Sequence, residues 1–205
     1  SLEPPTTPNH YSLLNLDITS IIGDIRDRKK LSECFDKFQP DIVFHLAAQP
    51  IVGFSYLKPH ETFEVNVLGT LNVFDCSRET ESVKAIVNIT SDKCYENQEW
   101  YWGYREIDRL GGDDPYSASK ACAEIITHSY RISFFRNINK LIASARAGNV
   151  IGGGDWAKDR LIPDIIRSTS ENKPVLIRNP QSIRPWQHVL EPLSGYLFLG
   201  QRLLE

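Results

Sequence analysis

Residues 42–48 read Ile-Val-Phe-His-Leu-Ala-Ala, directly after Pro40-Asp41. The run is apolar at almost every position rather than at alternate ones. That suits a strand covered on both faces, as strands inside a parallel sheet are. Two more runs have the same character, Ala85-Ile86-Val87-Asn88-Ile89 and Leu141 to Ala145. Between and before them the apolar spacing changes. Leu31, Cys34, Phe35 and Phe38 recur at helical intervals over 27–38, and Phe63, Val67, Leu71 and Phe74 do so over 60–79. Pro115 stands where a helix can start, and that helix is expected to run to about residue 135. Shorter patterns predict a strand over 18–22 closing at Gly23-Asp24, a helix over 163–170, a strand over 175–177 and a last helix from 192. Residues 1–15, with Pro4, Pro5 and Pro8, read as an irregular loop. Strands alternating with helices predict an α/β fold, a doubly wound parallel sheet with right-handed crossovers.

Composition narrows the classes of partner. A formal charge of -3 and a pI near 6.0 supply no basic field for nucleic acid or for an anionic membrane surface. No apolar stretch approaches the roughly 20 residues needed to span a bilayer. No basic-then-apolar leader opens the sequence, so a cytoplasmic protein is expected. Cys34, Cys76, Cys94 and Cys122 are nowhere closer than eighteen positions, which argues against a Cys-x-x-Cys pair and for reduced thiols. His10, His60, His128 and His188 show no metal-ligand spacing, and His45, inside an apolar run, reads as a core histidine. No metal is expected. The chain contains no methionine and stops within a helical pattern, so both ends are expected to be cuts in a longer protein.

In open α/β sheets ligands bind beyond the carboxyl ends of the strands. Here those ends carry Gly23-Asp24, Ala47-Ala48-Gln49, Thr90-Ser91-Asp92-Lys93 and Arg146-Ala147-Gly148-Asn149. Tyr116 and Lys120 stand four apart at the start of the helix that follows Ser91, so their side chains share one face. A phenol with a reference pKa near 10 is a poor base, and a neighbouring ammonium is expected to lower it. Such a pair can take a proton from a hydroxyl while hydride leaves the same carbon. A Ser91 hydroxyl at the strand end would orient that group. By itself Tyr-x-x-x-Lys is a common accident of helices; its place after a strand ending in serine is what gives it weight.

With these motifs in hand, the chain resembles the extended short-chain dehydrogenase/reductase family. The matching segments are Gly23-Asp24-Ile25-Arg26-Asp27, Phe44 to Pro50, Asn66-Val67-Leu68-Gly69-Thr70, Asn88 to Tyr95, Tyr116-Ser117-Ala118-Ser119-Lys120, Arg146 to Trp156, and Arg184 to Val189. Within the family, Asp92-Lys93 and the last two segments are similar to the nucleotide-sugar 4,6-dehydratases that act on CDP-sugars. The resemblance implies a Rossmann-type domain over 1–150, incomplete at its start, and the beginning of a smaller nucleotide-sugar-binding lobe over 151–205.

The resemblance also implies NAD as cofactor and CDP-glucose as substrate. Asp24 and Ile25 would meet the adenine end, and Ala47, Ala48 and Gln49 the ribose and diphosphate. Lys120 would reach the nicotinamide ribose beside Tyr116, and Asn149 and Arg184 would hold the substrate diphosphate. Tyr116 would oxidise C4 of the sugar with NAD. Protonated Asp92 would then release water from C6, neutral Lys93 would take the C5 proton, and hydride would return to C6. Both groups need shifted pKa values, which desolvation by a covering loop around Trp100, Tyr101 and Trp102 is expected to supply. Relatives of this kind commonly form homodimers through the helices that include Tyr116.

One part of the family pattern is missing. No glycine-rich turn precedes Asp24, since residues 1–23 contain only Gly23, and Gly152-Gly153-Gly154 falls after the strand ending near Ala145. The isolated 205-residue chain is therefore expected to bind NAD poorly and not to turn over. Two alternatives share the fold. A nucleotide-sugar 4-epimerase would use Ser91, Tyr116 and Lys120 without needing Asp92-Lys93. A non-catalytic NAD-binding sensor would lack the tyrosine-lysine pair.

Overall fold

A computed structural model describes residues 6–205. The three apolar runs form one parallel sheet, in the order β1 (Ile42–His45), β2 (Ala85–Ile89), β3 (Leu141–Ala145). Val43 lies opposite Ile86 and Ile86 opposite Ile142, so these three share one face of the sheet. They meet α2 (Arg28–Phe38) and α5 (Gly69–Glu79) in a core of Phe35, Val73, Phe74, Cys76, Val83, Ile86, Phe135 and Ile142.

Ile42 and Phe44 alternate to the other face and meet α8 (Leu190–Leu204). A Cβ built on Gly200 would lie 2.6 Å from the Phe44 ring and 2.8 Å from the Ile42 side chain. Only glycine lets the helix backbone settle this close. Helices on both faces explain why the strands are apolar throughout, and the doubly wound arrangement is as expected.

Phe74 anchors the core. It is fully buried, with the Tyr130 ring at 5.4 Å and the Phe135 ring at 6.3 Å. Phe74→Ala is expected to destabilise the fold by about 3–5 kcal/mol, checked by urea titration, because a ring-sized cavity opens among rigid neighbours.

α6 (Pro115–Ser133) begins at Asp114, whose carboxylate accepts the Ser117 amide at 2.9 Å, with Pro115 in the first turn. The predicted helix over 60–79 is interrupted. α4 (Pro59–Phe63) passes into a π turn at Glu64–Leu68 before α5, and the preceding α3 (Val52–Leu57) was not expected. In the wide turn Asn66 is buried, and it binds both the Gln49 backbone and the Ser119 hydroxyl.

Other expectations fail. Residues 18–22 form no strand, nor do 175–177. β-branched residues favour a strand only where a neighbour completes the ladder, and the ladders of β1 run to β2 and those of β2 to β3. The pairing that does form is β4 (Asn149–Ile151) with β5 (Trp186–His188). Within the loop expected over 1–15, residues 1–5 lie outside the described residues and α1 (His10–Leu13) is a single helical turn. α7 spans Leu161–Ser170, close to its expected range.

Candidate active site

β2 and α6 converge on one point. Ser91, two residues past the end of β2 and still in extended conformation, caps a 3-10 turn at Asp92–Cys94. Its hydroxyl accepts the Lys93 amide at 3.2 Å and donates to the Asp92 carboxylate at 3.2 Å. The turn is pinned from below by Cys94, fully buried, whose thiol is pushed up to about 12. Two main-chain bonds continue the sheet into the site, Thr90 N–H to the Ala145 carbonyl at 2.9 Å and Asp92 N–H to the Ala147 carbonyl at 3.0 Å. The catalytic candidates thus stand on an extension of the β2–β3 ladder.

Tyr116 and Lys120 are both buried on the first turns of α6. Burial raises the Tyr116 phenol above its ordinary value, while a hydrogen bond with the Ser91 side chain pulls the other way. Asp92 and Asp114 add to the rise and Arg160 opposes it. The phenol is thus raised, not lowered as expected from the neighbouring lysine. Lys120 turns its Nζ to the Ile89 carbonyl, 3.2 Å away at the end of β2, and burial brings its own pKa down to about 8 against the pull of Glu124. An amine poised there exchanges protons near neutral pH, as a proton relay requires.

Asp92 is shifted in the direction its expected role needs. Burial raises the carboxyl, and Ser91, Lys93 and Arg184 resist the rise. What covers it differs from the expectation. Tyr101 and Trp102 point to solvent, and Lys93 keeps a side chain 41% exposed, 3.9 Å from Asp114. The aromatic loop stacks on itself instead, Tyr95 on Tyr104 at 5.0 Å and Tyr104 on Trp100 at 5.2 Å. Asp92 is closed in from the other side by Gly148, where an added Cβ would sit 3.4 Å from its carboxylate and 2.7 Å from Pro185. That close approach leaves room only for glycine.

The β4–β5 pairing sets Asn149 opposite Trp186 and so brings Asn149 and Arg184 to the same end of that ribbon. Arg184 is exposed, with one guanidinium nitrogen on the Ile183 carbonyl at 2.9 Å, and its charge is felt at Asp92. On the far rim Gln49 is fixed. Its amide accepts Ile51 N–H at 2.6 Å and donates to Thr62 at 3.0 Å, while Ala47 is exposed and Ala48 half-buried. Asp24 is held below the usual carboxylate range by Arg26, which contacts it at 2.6 Å, and Asn72 donates to the Ile25 carbonyl at 2.9 Å. His45 is a core residue bonded to Thr70 at 3.0 Å, its pKa lowered to about 3 by burial.

Sequence reasoning gave no role to Asp114, Arg160, Glu124 or Arg146. Asp114 was the most accessible of these, because Asp-Pro ahead of an apolar helix is an N-terminal signature. Glu124 falls on the same helical face one turn beyond Lys120.

A parallel sheet with this rim belongs to a recognised group. The chain belongs to the GDP-mannose 4,6 dehydratase family, whose family model matches residues 7–201. This agrees with the extended short-chain dehydrogenase/reductase resemblance of its motifs.

Among individual relatives, the chain is 56% identical over 210 residues to CDP-glucose 4,6-dehydratase from Salmonella typhimurium, covering 99% of this chain and 58% of that protein. It is 29% identical to CDP-paratose 2-epimerase from Salmonella typhi over 66% of this chain and 43% of that protein. In three dimensions it resembles dTDP-glucose 4,6-dehydratase from Streptomyces venezuelae, solved with NAD and TYD bound. There the TM-score is 0.78 at 25% identity, over 88% of this chain and 54% of that one. The chain thus spans 43–58% of the length of these relatives.

Proposed function

We propose that this chain carries the catalytic centre of a nucleotide-sugar 4,6-dehydratase that converts CDP-glucose to CDP-4-keto-6-deoxyglucose. One observation carries the reading: Asp92, a carboxyl raised by burial, stands beside Lys93 and Ser91 at the strand end that faces Tyr116. Oxidation at C4 alone needs no second acid and base, whereas loss of water across C5–C6 needs both. The 56% identity to a CDP-glucose 4,6-dehydratase supports the same chemistry and the same base.

The rim offers part of a dinucleotide site, without the glycine-rich turn missing before Asp24. Ala47 stands open and Ala48 half-open beside a Gln49 whose own bonds are all internal, and Lys120 would lie at the nicotinamide end with Tyr116. Asp24 and Ile25 would take the adenine end, with the Asp24 carboxylate already steered by Arg26. NAD, when bound, supplies the acceptor that removes hydride from C4 and returns it to C6.

The remaining work falls to side chains. Ser91 orients the 4-hydroxyl and Tyr116 takes its proton, with Lys120 relaying charge from below. Lys93 takes the C5 proton, made acidic by the adjacent ketone, and returns a proton to C5 when hydride reaches C6. Asp92 gives its proton to the departing hydroxyl. Asn149 and Arg184 hold the substrate diphosphate, for which an arginine fork is suited. The division at residue 150 between cofactor and substrate portions belongs to this reading. So does a homodimer built on α6, where Ile125 and Ile132 are exposed. No helix among the described residues is long and apolar enough to cross a membrane.

The assay is direct. The full-length protein, supplied with NAD and the CDP-, dTDP-, UDP- and GDP-forms of glucose in turn, is expected to release a 4-keto-6-deoxy sugar from the CDP substrate in preference to the rest. Release of a 4-epimer, or preference for another base, would overturn the assignment.

A further inference from the structure

Beneath the proposed centre lies a second cluster to which its chemistry gives no part. Glu124 is 5% exposed on α6, one turn beyond Lys120. Its carboxylate accepts the Thr90 hydroxyl, the Ser144 hydroxyl at 2.8 Å and the Arg146 guanidinium at 2.8 Å. Thr90 immediately precedes Ser91, and Ser144 and Arg146 bracket the end of β3. One carboxylate therefore ties the helix that carries Tyr116 and Lys120 to both strand ends. Arg146 extends the connection outward. Its guanidinium lies 4.8 Å from the centre of the Tyr95 ring and donates to the Glu106 carbonyl at 3.1 Å. Tyr95 begins the aromatic arm of residues 95–110, closed by the Tyr95–Leu110 bridge.

A buried ion pair of this kind adds little net stability compared with apolar packing of similar volume, yet breaking it is costly. What it supplies here is directional. A planar fork with fixed donors sets angles that apolar contacts leave loose. Burial on both partners also keeps water from substituting for either, with side chains only 4% and 16% exposed.

We propose that Glu124 and Arg146 are positioning residues for the dehydration reaction, holding the Ser91–Asp92 strand end in register with Tyr116 and Lys120 and fastening the aromatic arm to that frame. The inference rests on the reaction assigned above. The two residues touch no reacting atom. Their effect is on the approach of groups that do, and misplacement by about 1 Å can cost on the order of 100-fold in rate.

The test uses the full-length protein. Arg146→Ala is expected to lower kcat by about 100-fold with KM within about threefold, since orientation and not affinity is lost. Free guanidinium at about 20 mM is expected to return about tenfold of that rate by refilling the fork, while leaving Tyr116→Phe inactive. A readout without turnover accompanies it. Arg105 and Arg109 lie exposed on the arm, and trypsin should cut after them about tenfold faster in Arg146→Ala while sites elsewhere keep the parent rate.

Should Arg146→Ala fail to fold, Arg146→Lys keeps the charge against Glu124 but loses the fork, and faster cutting confined to the arm is expected again. A kcat within twofold of the parent, or cutting that rises equally along the whole chain with no rescue, would sink the proposal. If the parent yields no dehydrated sugar, the assigned reaction falls. The proteolysis then decides the pair's structural coupling alone, and the positioning claim for this reaction falls with it.

Discussion

Tyr116→Phe in the full-length protein is expected to lose about 100- to 10,000-fold in the first chemical step, read as the single-turnover rise in reduced-nicotinamide absorbance. The substitution removes one oxygen and little else. The ring stays buried on the first turn of α6, and the loss of one hydrogen bond with Ser91 should cost on the order of 1 kcal/mol in stability. A fold that melts close to the parent and no longer oxidises substrate would assign the proton to that oxygen. A rate within tenfold of the parent would move the base elsewhere, with Lys120, whose pKa is near 8, next in line.

Asp92→Asn divides the reaction at a different place. Oxidation at C4 should proceed at close to the parent rate, because the amide oxygen that replaces the carboxylate still accepts the bond from Ser91. Release of the dehydrated sugar should fall by about 100-fold or more, because an amide cannot give the leaving hydroxyl a proton. Reduced nicotinamide would then accumulate instead of passing through transiently. Lys93→Ala should stall at the same stage. If either change blocks the first oxidation instead, the assignment of these residues to elimination is wrong.

The pH dependence of stability offers an independent check on Asp92. Its folded pKa lies above its unfolded one, so the folded state binds the proton more tightly. Its contribution is favourable below the unfolded value and is lost as pH rises through the raised folded value. At neutral pH the wild-type carboxyl therefore weighs against folding, and Asp92→Asn should melt no lower than the parent. A merely structural acid would show the reverse.

Much of this was legible in the residues themselves. β1, β2 and β3 announced themselves as runs without polar alternation, because a strand under helices on both faces has no side for water. α6 was legible from Pro115 and the spacing after it. The strands expected at 18–22 and 175–177 were misread for one reason, since β-propensity describes a residue and a strand requires a neighbour. β4 and β5 went unseen because each is too short for any period to register, and their pairing joins segments far apart in the chain, Asn149 with Trp186.

At the site the types of residue were readable and the environment was not. Nothing in Tyr-x-x-x-Lys discloses that Lys120 turns toward the Ile89 carbonyl, or that burial raises the phenol. The aromatic loop invited reading as a cover because aromatic residues usually seek burial. In the fold Tyr95, Tyr104 and Trp100 pack against one another and Tyr95 against Arg146, while Tyr101 and Trp102 stay in solvent.

The main-chain bonds from Thr90 to Ala145 and from Asp92 to Ala147 have a further consequence. Centres mounted on free loops open by local fluctuation long before a domain unfolds. Here the loop's first anchors are the last rungs of the central sheet, so Ser91 and Asp92 fluctuate with the most cooperative part of the molecule. Heat should then silence the centre and melt the sheet in a single transition, leaving little range in which the protein is folded but inert.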